Sequence, residues 1–272
     1  MDKIRMVAID CDGTLLTKKK EITPNSLLAL ERLRASGVAV VIATARPFYR
    51  IKKYLDAMNL VSEKDYSITF NGGMVVNNKT EQTIYSNSLN QEEIKKLLQT
   101  AAEYNNQVFL YTADGIYANY YDEGYIKHNK DASYTVVDLN EIDYEQNKIY
   151  KFVFVNQPEE IVKLREKLPQ ELYSEFEITS SVPQFIEVVK KDVTKAEAVG
   201  LLANMCGLKM SEVMVFGDED NDLSMMEAAG YGVAMENGSE NVKKAAKFVT
   251  KSNNDDGFAY AIDCFFNEGL FD

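Results

Sequence analysis

A mostly apolar run at residues 4–9 most constrains the fold of this chain, because it has the length of a β-strand. It shows no regular alternation of polar residues, which is typical of a strand covered on both faces in a parallel sheet. Asp10 and Asp12 follow directly, and Gly13 begins a turn. Since ligands of open α/β sheets bind at the carboxyl ends of strands, the two carboxylates predict a charged site at the sheet edge.

The following segments continue the alternation of strands and helices. Thr23-Pro24 predicts a helix start, with a capping residue before a proline at the first helical position, and Gly37 predicts its end. Strand-like runs at 38–43 and 67–70 flank a second helix that ends near Met58. This order with short connections is typical of a doubly wound parallel sheet. We therefore predict an α/β fold with a Rossmann-like core.

The alternation of single strands and helices stops at about residue 86. A helix, a hairpin turning at Asp114-Gly115 and further strands follow, and the alternation resumes after Val189. We predict the first part of the core at 1–85, an inserted α+β cap at 86–188 and the second part of the core at 189–272. Residues 85–188 contain 9 Lys and Arg against 18 Asp and Glu, so the predicted cap is the most acidic part of the chain.

Composition excludes several classes of function. The net charge of −12 argues against nucleic acid or an anionic membrane as partner. No stretch approaches the roughly 18 apolar residues of a membrane span, and no signal-peptide layout is present. The 3 cysteines form no C-x-x-C pair, which argues against a zinc site and favours a cytoplasmic protein. His128 is the single histidine, so a Ser-His or Cys-His triad elsewhere is excluded. The oligomeric state stays open.

A second acidic cluster, Gly217-Asp218-Glu219-Asp220-Asn221-Asp222, follows the apolar run at 213–216. Its spacing is similar to that of a calcium loop, but Leu223 and Ala229 occupy the positions that require Gly and Glu. If both acidic clusters share one sheet edge, two charges about 4 Å apart repel by roughly 4 kcal/mol. Such a group calls for a cation, and an all-oxygen ligand set favours Mg²⁺.

Two further residues are candidates for the same edge. Thr44 directly follows the second strand, although a role as a helix N-cap alone would also explain it. Thr194 and Glu197 form a capping-box pattern that places Lys195 at the first position of a helix, where a cation opposes the helix dipole. This placement makes sense if Lys195 reaches an anion; the alternative is an exposed lysine. We expect Lys18-Lys19-Lys20 to form a solvated turn.

Taken in order, these motifs resemble the haloacid dehalogenase (HAD) superfamily, in particular its Cof-type, subfamily IIB sugar-phosphatase branch. The motifs that carry the resemblance are Asp10-x-Asp12-Gly13-Thr14, Thr44, Lys195 and Gly217-Asp218-x-x-Asn221-Asp222. Ala45 and Ala196 stand where the family usually has Gly, which leaves details of the substrate loop open.

The resemblance implies a role for each matching residue. Asp10 would be the nucleophile that forms an aspartyl-phosphate, and Asp12 the general acid and then base, which requires a carboxyl with a raised pKa. The implied phosphate-binding residues are Thr44, Lys195 and Asn221, with Ala45 and Arg46 in a substrate loop. The implied Mg²⁺ ligands are Asp10, the backbone carbonyl of Asp12, and Asp218, with Asp222 in support.

The expected function is therefore a Mg²⁺-dependent phosphatase of small phosphorylated metabolites. The acidity of the predicted cap favours neutral, hydroxyl-rich leaving groups, so sugar phosphates are the expected substrates. A sugar phosphomutase could share the same motifs and stays an alternative. A phospho-accepting receiver module is a more distant one, because the Asp10-x-Asp12 spacing and the long insert argue against it.

Overall fold

The computed structural model describes residues 3–120, 134–180 and 182–271. The chain forms two compact units. The first comprises Met1–Arg46, Ile51–Tyr85 and Thr194–Asp272, and the second comprises Pro47–Arg50 and Ser86–Val193. The second unit thus ends at Val193, whereas the predicted cap ends at residue 188, which lies inside a strand. His128, whose role the sequence analysis considered, lies outside the described residues.

The strands of the described residues, in chain order, are β1 (Met6–Ile9), β2 (Ala39–Ala43), β3 (Tyr66–Thr69), β4 (Met74–Asn77), β5 (Thr83–Ser86), β6 (Gln107–Tyr111), β7 (Ile116–Ala118), β8 (Tyr134–Val136), β9 (Lys151–Val155), β10 (Phe176–Thr179), β11 (Phe185–Lys190), β12 (Val213–Gly217), β13 (Tyr231–Ala234) and β14 (Phe248–Val249). The α-helices are α1 (Pro24–Ala35), α2 (Lys52–Ala57), α3 (Gln91–Glu103), α4 (Pro158–Lys167), α5 (Gln170–Glu175), α6 (Lys195–Met205), α7 (Leu223–Ala228), α8 (Glu240–Ala245) and α9 (Gly257–Asn267).

The first unit is built on a sheet with the strand order β14-β13-β12-β1-β2-β3-β4-β5 among the described residues. The pairs from β14 to β3 are parallel, and β3 pairs with β4 in the antiparallel direction. This arrangement confirms the predicted α/β fold with a doubly wound core. β4 and β5 extend the sheet beyond β3 and have no counterpart among the strands predicted from the sequence.

Register brings the ends of three strands together. β1 lies between β12 and β2, and Ile9 pairs with both Phe216 and Ile42. All four residues of β1 are buried, as expected for a central strand covered by helices on both faces. The residues that follow these three strands therefore lie side by side at the carboxyl edge of the sheet.

Helix α6 carries Lys195 into the interior. Thr194 begins the helix, and its hydroxyl oxygen accepts a hydrogen bond from the Glu197 N–H at 3.2 Å. Residues three and four apart share one face of a helix, so Lys195 lies on the same face as Val199 and Leu202, which are buried. Lys195 is therefore buried in the first unit because its helix face belongs to the core.

The second unit contains a sheet with the order β10-β11-β9-β6-β7-β8 among the described residues. β6, β9 and β11 pair in the antiparallel direction, and β6 and β7 form the predicted hairpin. The alternate residues Val108, Phe152 and Ile186 contribute one face of this sheet to a core that includes Ile94 of α3 and Leu164 of α4. The unit thus has its own hydrophobic core.

Candidate active site

Three carboxyl groups meet at the carboxyl edge of the core sheet. Asp10 follows β1, Asp218 follows β12, and Asp222 lies just before α7. Their side chains are buried, and each offers one oxygen that lies within 4.8 Å of the others. We call Asp10, Asp218 and Asp222 the carboxylate trio. The structure therefore brings together the two acidic clusters that the sequence analysis expected to share one edge.

Lys195 joins this trio. Its Nζ donates to Oδ1 of Asp10 at 2.5 Å and to Oδ1 of Asp222 at 2.7 Å, and its side chain is 0% exposed. Burial alone would lower the pKa of Lys195, but the two carboxylates hold that pKa above its ordinary value. The ammonium is therefore charged at neutral pH, and the alternative of an exposed lysine is wrong.

Burial is the main influence on the pKa of two members of the trio, Asp10 and Asp218. It raises the pKa of Asp10, and the neighbouring Asp222 adds to this effect while Lys195 opposes it. Burial also raises the pKa of Asp218 to about 6, although the Thr14 hydroxyl donates a hydrogen bond to it at 2.6 Å. Three carboxyl groups thus share a single buried ammonium and gain from any further positive charge.

Two glycines allow the acidic loops to approach this closely. Gly13 has a φ of +85°, and a Cβ there would lie 2.0 Å from Oδ2 of Asp218. A Cβ on Gly217 would lie 2.5 Å from Cβ of Asp222. Asp222 is further held by the N–H groups of Asp218 and Glu219, which donate to its Oδ2 at 2.9 and 3.2 Å. The trio is thus a fixed group of oxygen donors, which fits a divalent cation such as Mg²⁺.

Asp12 lies outside the trio and is held by cations. Nε and Nη2 of Arg46 donate to its two oxygens at 2.5 and 2.7 Å, and Lys20 Nζ donates at 2.5 Å. Burial would raise the pKa of Asp12, but the two cations outweigh it and lower that pKa to about 2. The predicted raised pKa of Asp12 is therefore wrong for this arrangement. The predicted solvated turn at Lys18-Lys19-Lys20 is confirmed, since all three residues are exposed, and Lys20 also reaches Asp12 from it.

The remaining predicted residues lie in the loops that follow β2 and β12 at the same sheet edge. Thr44 is buried directly after β2, and its hydroxyl oxygen accepts from the Arg46 N–H at 3.2 Å. Ala45 between them is exposed. The Asn221 side chain is exposed, and its Nδ2 donates to Oδ1 of Asn71 at 2.8 Å.

Sequence reasoning missed three asparagines near these loops. Asn71 contacts Asn221, Nδ2 of Asn237 donates to the Gly13 carbonyl at 2.8 Å, and Nδ2 of Asn253 donates to the Leu16 carbonyl at 2.7 Å. The Asn71-Gly72-Gly73 run directly follows the strand-like run at 67–70, and its composition indicates only a turn. The two later asparagines lie in loops after β13 and β14, and nothing in their local pattern indicates a role.

A doubly wound sheet with buried carboxylates and a buried lysine at its carboxyl edge is typical of α/β enzymes that bind charged ligands. Comparison with known proteins identifies the family. A family model described as haloacid dehalogenase-like hydrolase matches residues 7–262. The chain belongs to this family and to its Cof-type branch, and it is a phosphatase. Hydrolases of this superfamily generally use a divalent metal.

Similar proteins span the same length. The Bacillus subtilis protein YxeH, which is named as a phosphatase, is 33% identical over 261 residues, covering 95% of this chain and 97% of YxeH. The Bacillus subtilis 5-amino-6-(5-phospho-D-ribitylamino)uracil phosphatase YitU is 31% identical over 269 residues, covering 96% and 97%. A solved HAD subclass IIB sugar phosphatase is 27% identical with a TM-score of 0.78, covering 98% of this chain and 99% of that one.

Among the described residues, no helix combines the length and the apolar composition needed to cross a membrane.

Proposed function

We propose that this protein is a Mg²⁺-dependent phosphatase that hydrolyses small phosphorylated metabolites, with sugar phosphates as the preferred class, through an aspartyl-phosphate on Asp10. The observation that carries the proposal is the buried Asp10 at the end of β1, hydrogen-bonded to Lys195 and grouped with Asp218. A buried carboxylate beside a fixed ammonium combines a nucleophile with a charge that attracts the phosphoryl group.

In the first proposed step, a carboxylate oxygen of Asp10 attacks phosphorus and the bond to the leaving-group oxygen breaks. Asp12 gives its proton to that oxygen, which leaves as an alcohol. In the second step a water molecule attacks the phosphorus of the aspartyl-phosphate, Asp12 takes the proton of that water, and inorganic phosphate forms while Asp10 is regenerated. Splitting hydrolysis into two displacements is what a covalent nucleophile achieves.

The ion pairs of Asp12 must change before Asp12 can donate a proton in the first proposed step. With a pKa of about 2, Asp12 carries no proton at neutral pH while Arg46 and Lys20 hold it. A phosphoryl dianion is a strong competitor for a guanidinium or an ammonium group. We infer that substrate binding draws at least one of these cations from Asp12, which lets Asp12 take up the proton that the leaving group needs.

The trio would hold the metal through Asp10 and Asp218, with Asp222 supporting these ligands and the Asp12 backbone carbonyl added by resemblance. Mg²⁺ bound there would neutralise negative charge on the transferred phosphoryl group. Lys195 already supplies one positive charge to the same carboxylates. Thr44, Lys195 and Asn221 are the proposed phosphate-binding groups. Thr44 lies directly after β2, which pairs with β1, the strand that Asp10 follows.

Three observations support sugar phosphates as the substrate class. A solved relative of similar fold is a subclass IIB sugar phosphatase, and residues 85–188 carry twice as many acidic as basic side chains, 18 against 9. The relative YitU is named for a phosphate on a ribityl chain, which is also a polyhydroxylated leaving group. We expect the protein to act in the cytoplasm on free metabolites and not on nucleic acid.

The test is a panel of phosphorylated metabolites with released inorganic phosphate as the readout, in the presence of MgCl₂. The panel should include hexose and pentose phosphates, a polyol phosphate, nucleotides and a generic aryl phosphate, with Asp10→Asn as the inactive control. We expect monophosphates of sugars or polyols to give the highest kcat/KM. A preference for nucleoside triphosphates would contradict the substrate class, and conversion of one sugar phosphate into its isomer without phosphate release would indicate a mutase.

A further inference from the structure

The turn Phe70–Gly72, which directly follows β3, has an unusual backbone. Phe70, Asn71 and Gly72 have φ values of 52°, 57° and 106°, so three consecutive residues lie in the left-handed region. Bulky residues such as Phe70 rarely adopt this conformation, and Phe70 is also buried. Backbone strain of this kind persists where the surroundings fix it, often at functional sites. We call Phe70–Gly72 the β3 turn.

The β3 turn is bonded to the loop that follows β2. The Asn71 N–H donates to the carbonyl of Thr44 at 3.0 Å, and the Phe70 N–H donates to the carbonyl of Arg46 at 3.2 Å. These two backbone hydrogen bonds tie the turn to the segment that carries the proposed phosphate-binding hydroxyl and the guanidinium that holds Asp12.

The same turn packs against the start of α6. A Cβ on Gly72 would lie 2.2 Å from the carbonyl oxygen of Thr194 and 3.3 Å from the backbone nitrogen of Lys195. Only a glycine permits this approach, and the positive φ of Gly72 independently favours glycine. The turn therefore lies between the end of β2 and the residue that bonds Asp10.

The side chain of Asn71 adds a third connection, to the loop after β12. Oδ1 of Asn71 accepts a hydrogen bond from Nδ2 of Asn221 at 2.8 Å. An amide has an acceptor end and a donor end, so this bond fixes which end of the Asn221 amide faces Asn71. Asn71 is also one of the few residue types besides glycine that readily adopts a left-handed conformation.

We propose that Asn71 is a positioning residue of the phosphate site, which orients the amide of Asn221. It does so from the β3 turn, which also contacts Thr44 and the start of α6 at Lys195. This inference rests on the proposed function, because Asn221 has its phosphate-binding role there. Asn71 itself is assigned no contact with the substrate. Its contribution is to hold Asn221 in the orientation that binding requires.

The test replaces Asn71 with glycine, which permits the left-handed backbone and removes the side chain together with the acceptor oxygen that bonds Asn221. Binding of inorganic phosphate in the presence of MgCl₂ is measured by calorimetry, and KM and kcat are measured with an aryl phosphate. Loss of one hydrogen bond should raise the Kd of phosphate and the KM by about threefold to tenfold, while kcat changes little. Asn59→Gly is the matched control, because Asn59 is exposed and also has a positive φ, of 53°.

A double-mutant cycle separates positioning from a general structural effect. If Asn71 acts through Asn221, then Asn71→Gly should not weaken phosphate binding further in an Asn221→Ala background. Equal losses in both backgrounds, or an Asn71→Gly variant that binds phosphate like the wild type, would overturn the inference while the wild type remains an active phosphatase. A wild-type protein that neither binds phosphate nor hydrolyses the ester would instead overturn the proposed function, and this inference with it.

Discussion

Replacing Lys195 with methionine should destabilise the protein strongly in the absence of divalent metal. Its Nζ bonds both Asp10 and Asp222, and neither Lys195 nor Asp222 is exposed, at 0% each. Methionine fills a similar volume but leaves the buried carboxylates without their cation. Removing one partner of a buried ion pair costs about 3–5 kcal/mol. For a unit of this size, that corresponds to a fall in melting temperature of roughly 6–20 °C.

The stability lost in the Lys195→Met variant should be larger at high pH than at low pH. The pKa values of Asp10 and Asp218 are raised above the ordinary aspartate value of 3.8, that of Asp218 to about 6. Between the ordinary and the raised pKa the folded state binds more protons than the unfolded state, so stability falls as pH rises. Removing Lys195 raises the pKa of Asp10 further, which extends this window upward. The Lys195→Met variant should therefore lose less stability at pH 5 than at pH 8.

Thermal unfolding in chelator at these two pH values is the assay. Lys52→Met is the control in the same unit, because Lys52 forms an exposed ion pair with Glu81 at 2.6 Å, which is worth at most about 1 kcal/mol. Adding MgCl₂ should restore part of the stability of Lys195→Met, since a cation replaces the missing ammonium. A Lys195→Met protein that melts with the wild type in chelator, or that loses equal stability at both pH values, would refute this reasoning.

Two further substitutions probe the site. Gly13→Ala should abolish calorimetric Mg²⁺ binding, because its Cβ would meet Asp218, whereas Gly37→Ala shares the positive φ with no atom within 4 Å and should bind Mg²⁺ normally; equal binding by both variants would disprove the close approach as the cause. Arg46→Met should raise the pKa of Asp12 from about 2, which moves the high-pH limb of the kcat/KM profile upward if Asp12 must be protonated. An unchanged limb would mean that Arg46 does not set the protonation of Asp12.

The parts of the fold that the sequence predicts well are those that local patterns determine. Buried strands such as β1 and β2 have uniformly apolar sequences, and turn residues directly after them mark the strand ends. Because parallel strands end at the same edge, the neighbourhood of Asp10 and Asp218 follows from these patterns. β4 and β5 were not predicted because no α-helix separates them from β3. The alternating strand–helix pattern of the core predicts a helix after β3, whereas a tight turn leads directly into β4.

The features that could not be predicted from the sequence depend on tertiary contacts between segments that are distant in the chain. Asn253 donates to the carbonyl of Leu16 across 237 positions of sequence, and no periodicity reports such a pair. The pKa of Asp12 was predicted with the wrong direction for the same reason. The raised pKa follows from the proton-transfer role that the resemblance implies for Asp12, but Arg46 and Lys20 approach Asp12 from separate loops and lower its pKa. The charges that surround Asp12 are therefore set by the tertiary structure and not by the local sequence.

The central claim is that Asp10 is the nucleophile, and trapping the covalent intermediate tests it most directly. The wild-type protein is mixed with a good phosphorylated substrate and MgCl₂, quenched in acid within one turnover, digested and measured by mass spectrometry. We predict one added phosphoryl group on the peptide that contains Asp10, and neither this adduct nor turnover in the nearly isosteric Asp10→Asn variant. Full turnover by Asp10→Asn, or a phosphoryl group that accumulates on another residue of the active wild type, would contradict the account.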